Sequence, residues 1–380
     1  MSTADHTATD RSVRAVVSEL NEAEFVQFVT ASNGDAVAAT GILAQGLSIP
    51  FQARVTRATA GVSEADVTVG VGQTGGDVSI TNRPVSVRAV EIARERSNST
   101  ETGLSSTLQV LALAGIIAAE RDIDDYADVF GERLNRDDRP GLAIPTTDPV
   151  DGLAHTTLAH APFSGDPDAA AEVVSEIDGT GDGAASRVQI ASMLAVSVVD
   201  ESGTHASTAV ERALSPDVVE ADESCPFTTL AGYADVLDAL ARSNPGEGLA
   251  LALGHGRPEN ALTGWRKYAR NVHDAVRTAE LDRYPECVVV ELPKTPTATV
   301  ETVVRLIREY RSPEPVVVAT TDDGVVATAR TRERDIGTPL ASAVSAVEEE
   351  TTVTKRGRYA HALVESESRS AVVNAFREAV

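Results

Sequence analysis

Residues 24–43 constrain the fold of this chain more than any other stretch. Glu24-Phe-Val-Gln-Phe-Val-Thr30 is a compact β-prone run that reads as a buried strand. A short polar loop follows. Asp35 to Leu47 (DAVAATGILAQGL) then carries apolar residues at helical spacing. The surrounding sequence repeats the alternation. Phe51–Thr56 alternates like a strand, and Ala65–Val69 is another that ends in glycines. Pro84 sits where proline opens a helix, which would run through Val85–Arg96, and Ser105–Glu120 reads as a further, mostly apolar helix. Strands and helices in this order predict a parallel α/β sheet covered by helices.

Asp137-Asp-Arg-Pro-Gly141 and the stretch Pro145–Pro149 read as a boundary. Beyond it the pattern is helical: Asp168–Ile177, Ala185–Val199, Thr229–Arg242 and Leu262–Leu281. The last part returns to mixed α/β. Glu286–Leu292, Pro315–Ala319 and Tyr359–Val364 are predicted strands, and Val300–Tyr310, Ala341–Glu349 and Ser370–Val380 are predicted helices. The expected division is residues 1–150, an N-terminal parallel-sheet domain; 151–285, a helical middle; and 286–380, a C-terminal α/β domain.

Composition bounds the function. Apolar residues make up 42 % of the 380, enough for a large core. The formal charge is −24, from 57 acidic and 33 basic residues, and only Lys267, Lys294 and Lys355 are lysines. A globular chain this acidic reads as adapted to a high-salt cytoplasm. Its charge then reflects the solvent, which excludes a generic polybasic binder but not a nucleic-acid partner. Cys225 and Cys287 have neither metal-type spacing nor a disulfide framework. No apolar run reaches 18 residues and the first ten residues hold no apolar signal core, so a cytoplasmic protein is expected.

Gly70-Val-Gly-Gln-Thr-Gly75 matches a dinucleotide-binding loop in letters. Such a loop must open a helix whose N-terminus meets the pyrophosphate, but the β-prone Gly76-Asp-Val-Ser-Ile80 follows here. A plain glycine turn at the carboxyl end of a strand is the better reading. The P-loop, nucleophile-elbow and zincin patterns are absent from the sequence. His155 and His160 are five apart, which does not place them on one helical face, and His205, His255, His273 and His361 are isolated.

The segment Phe28-Val-Thr-Ala-Ser-Asn-Gly-Asp35-Ala-Val-Ala-Ala-Thr-Gly-Ile-Leu43 resembles motif I of the DHH phosphoesterase superfamily in its archaeal RecJ-like branch. There T-H-x-D-x-D precedes a small-residue helix. Ala31 stands at the histidine, Asn33 at the first aspartate, and Asp35 keeps the second. Ser79-Ile-Thr-Asn-Arg-Pro84 is similar to the D-H-H-x-P signature, with Ile80, Thr81 and Asn82 replacing its defining residues. Leu158–Asp166 and Cys225–Leu240 are similar to further segments of archaeal RecJ-like proteins. Lys355-Arg-Gly-Arg-Tyr359 resembles a diverged substrate-binding motif of the DHHA1 domain. The resemblance covers essentially the whole chain and implies a DHH-like domain, a helical connector and a DHHA1-like domain.

A DHH site is a two-metal phosphoesterase, typically using manganese, with the ions ~3.5–4 Å apart around the scissile phosphate. The matched positions keep one carboxylate, Asp35, beside two neutral amides, Asn33 and Asn82; Asp77, Asp122, Asp124 and Asp125 are further candidates, none at a matched position. Asn33, Asp35 and Asp77 are therefore expected to form a vestigial metal site, with no cofactor bound, or Mn or Mg if the protein is active. Asp35 also suits a helix cap. The resemblance includes pseudo-nucleases of the replisome. It implies a single-stranded-DNA-binding scaffold of replication or repair, with GINS and the MCM helicase as partners. An active 5′→3′ single-strand exonuclease remains the alternative, and a small-molecule α/β enzyme using Gly70–Gly75 is a third reading. For DNA contact, Lys355, Arg356, Gly357, Arg358 and Tyr359 combine the densest cationic cluster with an aromatic face. Trp265-Arg-Lys-Tyr-Ala-Arg270 is the second candidate.

Overall fold

The computed structural model describes residues 12–57, 64–81, 84–97, 104–130, 136–137, 141–178, 183–202, 206–219, 225–331, 333–348, 353–356 and 358–380. The chain packs as two compact units. The first comprises residues 1–139, 143–147 and 215–266; the second comprises 140–142, 148–214 and 267–380. The helical region between residues 151 and 285 is thus shared between them.

In the first unit, strands β1 (Val26–Ala31), β2 (Phe51–Thr56), β3 (Val67–Val71) and β4 (Val78–Ile80) form a wholly parallel sheet in the order β2-β1-β3-β4. β1 and β3 are buried along nearly their whole length, as strands covered on both faces must be. Helix α1 (Val13–Glu22) precedes β1, and α2 (Gly34–Gln45) crosses from β1 to β2. Helices α3 (Val85–Ser97) and α4 (Ser106–Ala118) follow β4, and a short helix α5 (Ala127–Phe130) comes after them. Strands β5 (Arg136–Asp137) and β6 (Val218–Val219) pair as a minimal ladder. Helices α10 (Leu230–Ser243) and α11 (Pro245–Ala252) complete the unit.

Helix α2 is buried from Gly34 to Ala44, with α3, α4, α10 and α11 packed around it. Its small residues permit this. A Cβ at Gly41 would lie 2.5 Å from the Ala252 carbonyl oxygen, and one at Gly34 would lie 2.9 Å from the Asp238 backbone nitrogen. No larger side chain fits either approach.

The glycine-rich loop has a different task. Only six residues join parallel neighbours β3 and β4, a connection that usually needs a dozen or more. The chain turns back on Gly72, Gly75 and Gly76, all at positive φ, and Gly72 N donates to Ile80 O. A Cβ at Gly76 would lie 2.5 Å from Thr68 O. The sequence Gly70–Gly75 is a tight return that leads into β4 rather than a helix, as the β-prone residues after it required.

The second unit begins with helices α6 (Pro149–His155), α7 (Pro167–Asp178), α8 (Gly183–Ser202) and α9 (Ser207–Leu214). Helix α12 (Pro258–Thr278) starts in the first unit and ends in the second. The six-stranded sheet comprises β7 (Leu281–Tyr284), β8 (Cys287–Leu292), β9 (Val316–Thr321), β10 (Gly324–Ala329), β11 (Val353–Arg356) and β12 (Tyr359–Leu363). Its order is β11-β12-β10-β9-β8-β7, and only β8 and β9 run parallel. Their crossover is α13 (Val300–Leu306), extended by a wide turn of helix over Ile307–Arg311. Helices α14 (Gly337–Ser345) and α15 (Arg369–Ala379) pack on the sheet through Leu340, Val344, Val372 and Phe376. The whole is an α/β architecture: an N-terminal parallel sheet, a helical middle and a C-terminal sheet. Among the described residues no helix is long and apolar enough to cross a membrane.

One ionic cluster organises the second unit. Glu309 accepts from Arg212 Nη2 at 2.7 Å, Arg308 Nη2 at 2.7 Å and Arg305 Nη1 at 3.4 Å. Arg308 is fully buried and also donates to Thr328 Oγ1, while Arg305 reaches the Thr157 carbonyl. Burial alone would push the Glu309 carboxyl up, but Arg212, Arg308 and Arg305 outweigh it and hold the group far below the ordinary range. Removing one partner of such a cluster strands buried charge. We therefore expect Glu309→Ala to lower the unfolding free energy by about 3–5 kcal/mol in urea titrations in molar KCl.

Candidate functional site: the carboxyl edge of the parallel sheet and the C-terminal hairpin

The carboxyl ends of β1, β3 and β4 are where an open parallel sheet holds its ligands. The loop after β1 is closed by its own hydrogen bonds. Asn33 caps α2, its Oδ1 accepting from Ala36 N at 2.9 Å. Ser32 Oγ donates to Ala241 O, and Gly34 N donates to Asp238 Oδ1 at 2.9 Å, both partners lying on α10. Arg242 holds Asp238 in turn.

Asp35 reaches across to the next helix. Its carboxylate accepts from Val85 N at 2.7 Å and from Ser86 N at 2.9 Å, the first amides of α3. The side chain caps a helix, though not its own: it joins the N-terminus of α2 to that of α3. Burial pushes the carboxyl up to about 6, against the opposing pull of hydrogen bonds from Ser86 and Val85. It is ionised at neutral pH.

Small apolar groups fill the remaining space. Ala31 and Ile80 are buried. A Cβ at Gly72 would lie 2.9 Å from Ala36 Cβ and 3.1 Å from Ala31 Cβ. Asp77 is placed elsewhere. Its carboxylate accepts from Thr68 N at 2.8 Å, at the amino end of β3, whereas Asn33 and Asp35 follow the carboxyl end of β1. In the sheet register Thr68 pairs with Gln27, four residues before Ala31, roughly 13 Å along the strand. The structure brings Asn33 and Asp35 to one edge and does not bring Asp77 to them. Among the described residues no three His, Cys, Asp or Glu side chains are grouped to hold a metal ion. A two-metal centre needs several carboxylates or imidazoles; among the described residues this edge offers Asp35, already bound to two amides, and Asp238, already bound to Gly34 N and Arg242. Asn82 lies outside the described residues.

The cationic hairpin divides between two faces. Residues paired in an antiparallel ladder share a face, and successive residues alternate. Arg356 is opposite Tyr359, and Lys355 is opposite Ala360. Lys355 therefore turns to the α14 side, where Nζ donates to Asp335 Oδ1 at 2.7 Å. Tyr359 turns the other way and its ring stands beside His361, 6.3 Å between centroids. Arg358 Nη1 donates to the Arg330 carbonyl at 2.9 Å. Gly357 lies outside the described residues. A groove of about 550 Å³ runs beside Lys355, lined also by Thr338, Ser342 and Val353. Sequence reasoning missed Asp335 and this groove; the acid–base pair is twenty residues apart and joined only through the sheet.

The second cationic–aromatic candidate is part of the core. Trp265 is fully buried, and its Nε1 donates to Asp235 Oδ2 at 2.8 Å. Tyr268 is buried as well, its hydroxyl 2.7 Å from Thr302 Oγ1. Helical spacing sets these rings on the inward stripe and leaves Lys267 and Arg270 outside. His160 and His273 are buried and paired with each other. His273 Nε2 must donate to the Thr156 carbonyl, so its Nδ1 accepts from His160 Nδ1 at 3.1 Å. Burial, with help from Arg311 and Arg277, pushes His160 down to about 4.

Comparison with known proteins places this geometry. Among solved structures the fold is similar to CDC45 from Entamoeba histolytica (TM-score 0.56, 8 % identity, 96 % of this chain and 97 % of that one). It is also similar to RecJ in complex with Mn²⁺ from Thermus thermophilus (TM-score 0.54, 13 % identity, 96 % of this chain). The chain spans 54 % of that RecJ's length. The class is thus that of the RecJ and CDC45 fold. Residues 279–378 match the family model for the C-terminal domain of uncharacterized protein rrnAC1427. The chain is 41 % identical over 371 residues to uncharacterized protein rrnAC1427 of Haloarcula marismortui, covering 95 % of each. It belongs to the rrnAC1427 family.

Asp35 gives two tests. Asp35→Ala leaves the first amides of α3 unpaired in a buried place, which should cost about 1–3 kcal/mol of stability in metal-free buffer. A carboxyl whose pKa is raised by folding stabilises most below its unfolded value and loses that contribution as pH rises through its folded value. From pH 4 to 6, the wild type should lose roughly 2 kcal/mol relative to Asp35→Asn, read by parallel urea titrations.

Proposed function

We propose that this chain is a RecJ-like protein of DNA replication or repair that has lost two-metal hydrolysis and acts as a single-stranded-DNA-binding scaffold. Its partners would be replisome components, with GINS and the MCM helicase as the candidates the resemblance supplies. One observation carries the reading. The sheet edge on which an enzyme would assemble its metals is packed with Ala31, Ala36 and Gly72, and its carboxylates are engaged, Asp35 capping α3 and Asp238 held by Gly34 N and Arg242. The likeness of fold to CDC45 supports a replisome association. The likeness to RecJ, crystallised with Mn²⁺, supports DNA as the ligand class and keeps a Mn-dependent 5′→3′ exonuclease as the rival.

DNA contact is assigned to the hairpin of Lys355, Arg356, Gly357, Arg358 and Tyr359. In molar salt the Debye length is only ~3 Å, so stacking and short hydrogen bonds must supply most of the affinity. The test is an assay on 5′-labelled single-stranded DNA in molar KCl with Mn²⁺, with binding recorded in the same samples and Asp35→Asn as control. Binding without nucleotide release is expected. Mn²⁺-dependent release that Asp35→Asn abolishes would establish the exonuclease instead. Neither binding nor release would leave a protein-only interaction module.

A further inference from the structure

Lys355 is one of three lysines in the chain, and its ammonium is already engaged. Asp335 Oδ1 accepts from Lys355 Nζ at 2.7 Å and from Gly337 N at 3.0 Å. Both partners of the ion pair are about half exposed, 49 % for Lys355 and 47 % for Asp335. Both line the open groove between α14 and β11, together with the hydroxyl-bearing Thr338 and Ser342. The carboxylate oxygen thus occupies the donors that an incoming phosphate oxygen would need, at the mouth of a groove large enough for a nucleotide unit.

We propose that Asp335 is an internal competitor for the anionic ligand of this groove: it occupies Lys355 until a phosphodiester displaces it. The inference rests on the reading of the hairpin as the DNA-contacting element and adds its regulation. Displacement needs no rearrangement of the fold, because an exposed lysine–aspartate pair is weak and its geometry is set by two flexible side chains. The competition is electrostatic, so it fades as salt screens the pair. A ligand bound to the opened groove would exchange one anion for another on the same ammonium, leaving Asp335 to solvent. The device tunes affinity rather than gating access: a chain of net charge −24 already repels polyanions at low salt, and Asp335 places that repulsion at the contact point.

The test uses the full chain and a fluorescein-labelled oligothymidylate, with anisotropy titrations at about 0.3 M and about 2 M KCl, salt levels chosen to bracket the screening of an exposed pair. Asp335→Asn keeps an oxygen for Gly337 N and removes the charge. Loss of an exposed pair of this kind corresponds to about a two- to fivefold change in an equilibrium constant. The variant should therefore bind about threefold more tightly at the lower salt and less than about twofold more tightly at the higher. Lys355→Gln should remove the difference, so Lys355→Gln and the double variant Asp335→Asn/Lys355→Gln should bind alike. Wild type and Asp335→Asn binding equally would overturn the competitor and leave the DNA reading standing. A gain that persists in the Lys355→Gln background would overturn it as well. Binding by Asp335→Asn with none by the wild type would support the competitor while removing DNA contact by the native protein. No binding by either would overturn both. Unchanged urea midpoints across the four proteins exclude misfolding as the cause of any loss.

Discussion

The bond from Asp35 to the first amides of α3 is the interaction around which the N-terminal unit is arranged. It joins the loop after β1 to the helix after β4 through one buried carboxylate. Those amides have no partner in their own helix and cannot be left bare inside the protein. The rest of the edge follows from it. With Asp35 turned toward α3, Ala36 and Ala31 close on Gly72, and Asp238 of α10 takes the remaining amide at Gly34. A carboxylate placed so can serve a helix end or a metal ion. Serving two divalent ions would require further anionic ligands on neighbouring strand ends, and the neighbours here are Ala31, Gly72 and Ile80.

Much of this fold is legible in the sequence because local pattern and burial agree. β2 spans Phe51–Thr56 as its alternation predicts, and α3 starts at the residue after Pro84. The glycine loop is legible too, since the β-prone residues after Gly75 rule out a helix. The elements that escape sequence reading lack a pattern of their own. β10 is buried along its whole length and offers no alternation, and β7 and β11 are edge strands of four residues each. The site is less legible than the fold. A helix wheel places Trp265 and Tyr268 together but does not say which side is inward; Asp235 and Thr302 decide that from distant sequence. The run Lys355–Tyr359 looks like one patch in the chain, and strand alternation splits it. Asp77 is a candidate carboxylate in the sequence, and the return loop carries it to the other end of the sheet from Asp35.

The second unit uses charge in two opposite ways. Glu309, Arg305 and Arg308 are withdrawn from solvent and Arg212 only partly so, and the attraction among the buried three is little screened by salt. Lys355 and Asp335 are half exposed, and their attraction weakens as salt rises. A protein whose surface carries a large negative charge needs its internal order to be independent of ionic strength. Any contact it makes with a polyanion, by contrast, depends on the salt around it. Buried arginine suits the first role because its planar fork reaches several acceptors at once, as Arg308 does with Glu309 and Thr328.

Under the proposed scaffold function, retention of the fold without metal chemistry has a physical explanation in α2. That helix is enclosed on every side, and its contacts at Gly34 and Gly41 tolerate no larger residue. Its position relative to the sheet is therefore held by packing, whatever ligand the edge of the sheet carries. Asp35 is held for a second reason, since its loss would strand the amides of α3. The histidine that the resemblance puts at position 31 has no such support: alanine stands there, close against Gly72. Under the proposed scaffold function, the residues that only chemistry required are the ones replaced, and the carboxylate that also closes a helix end is the one kept.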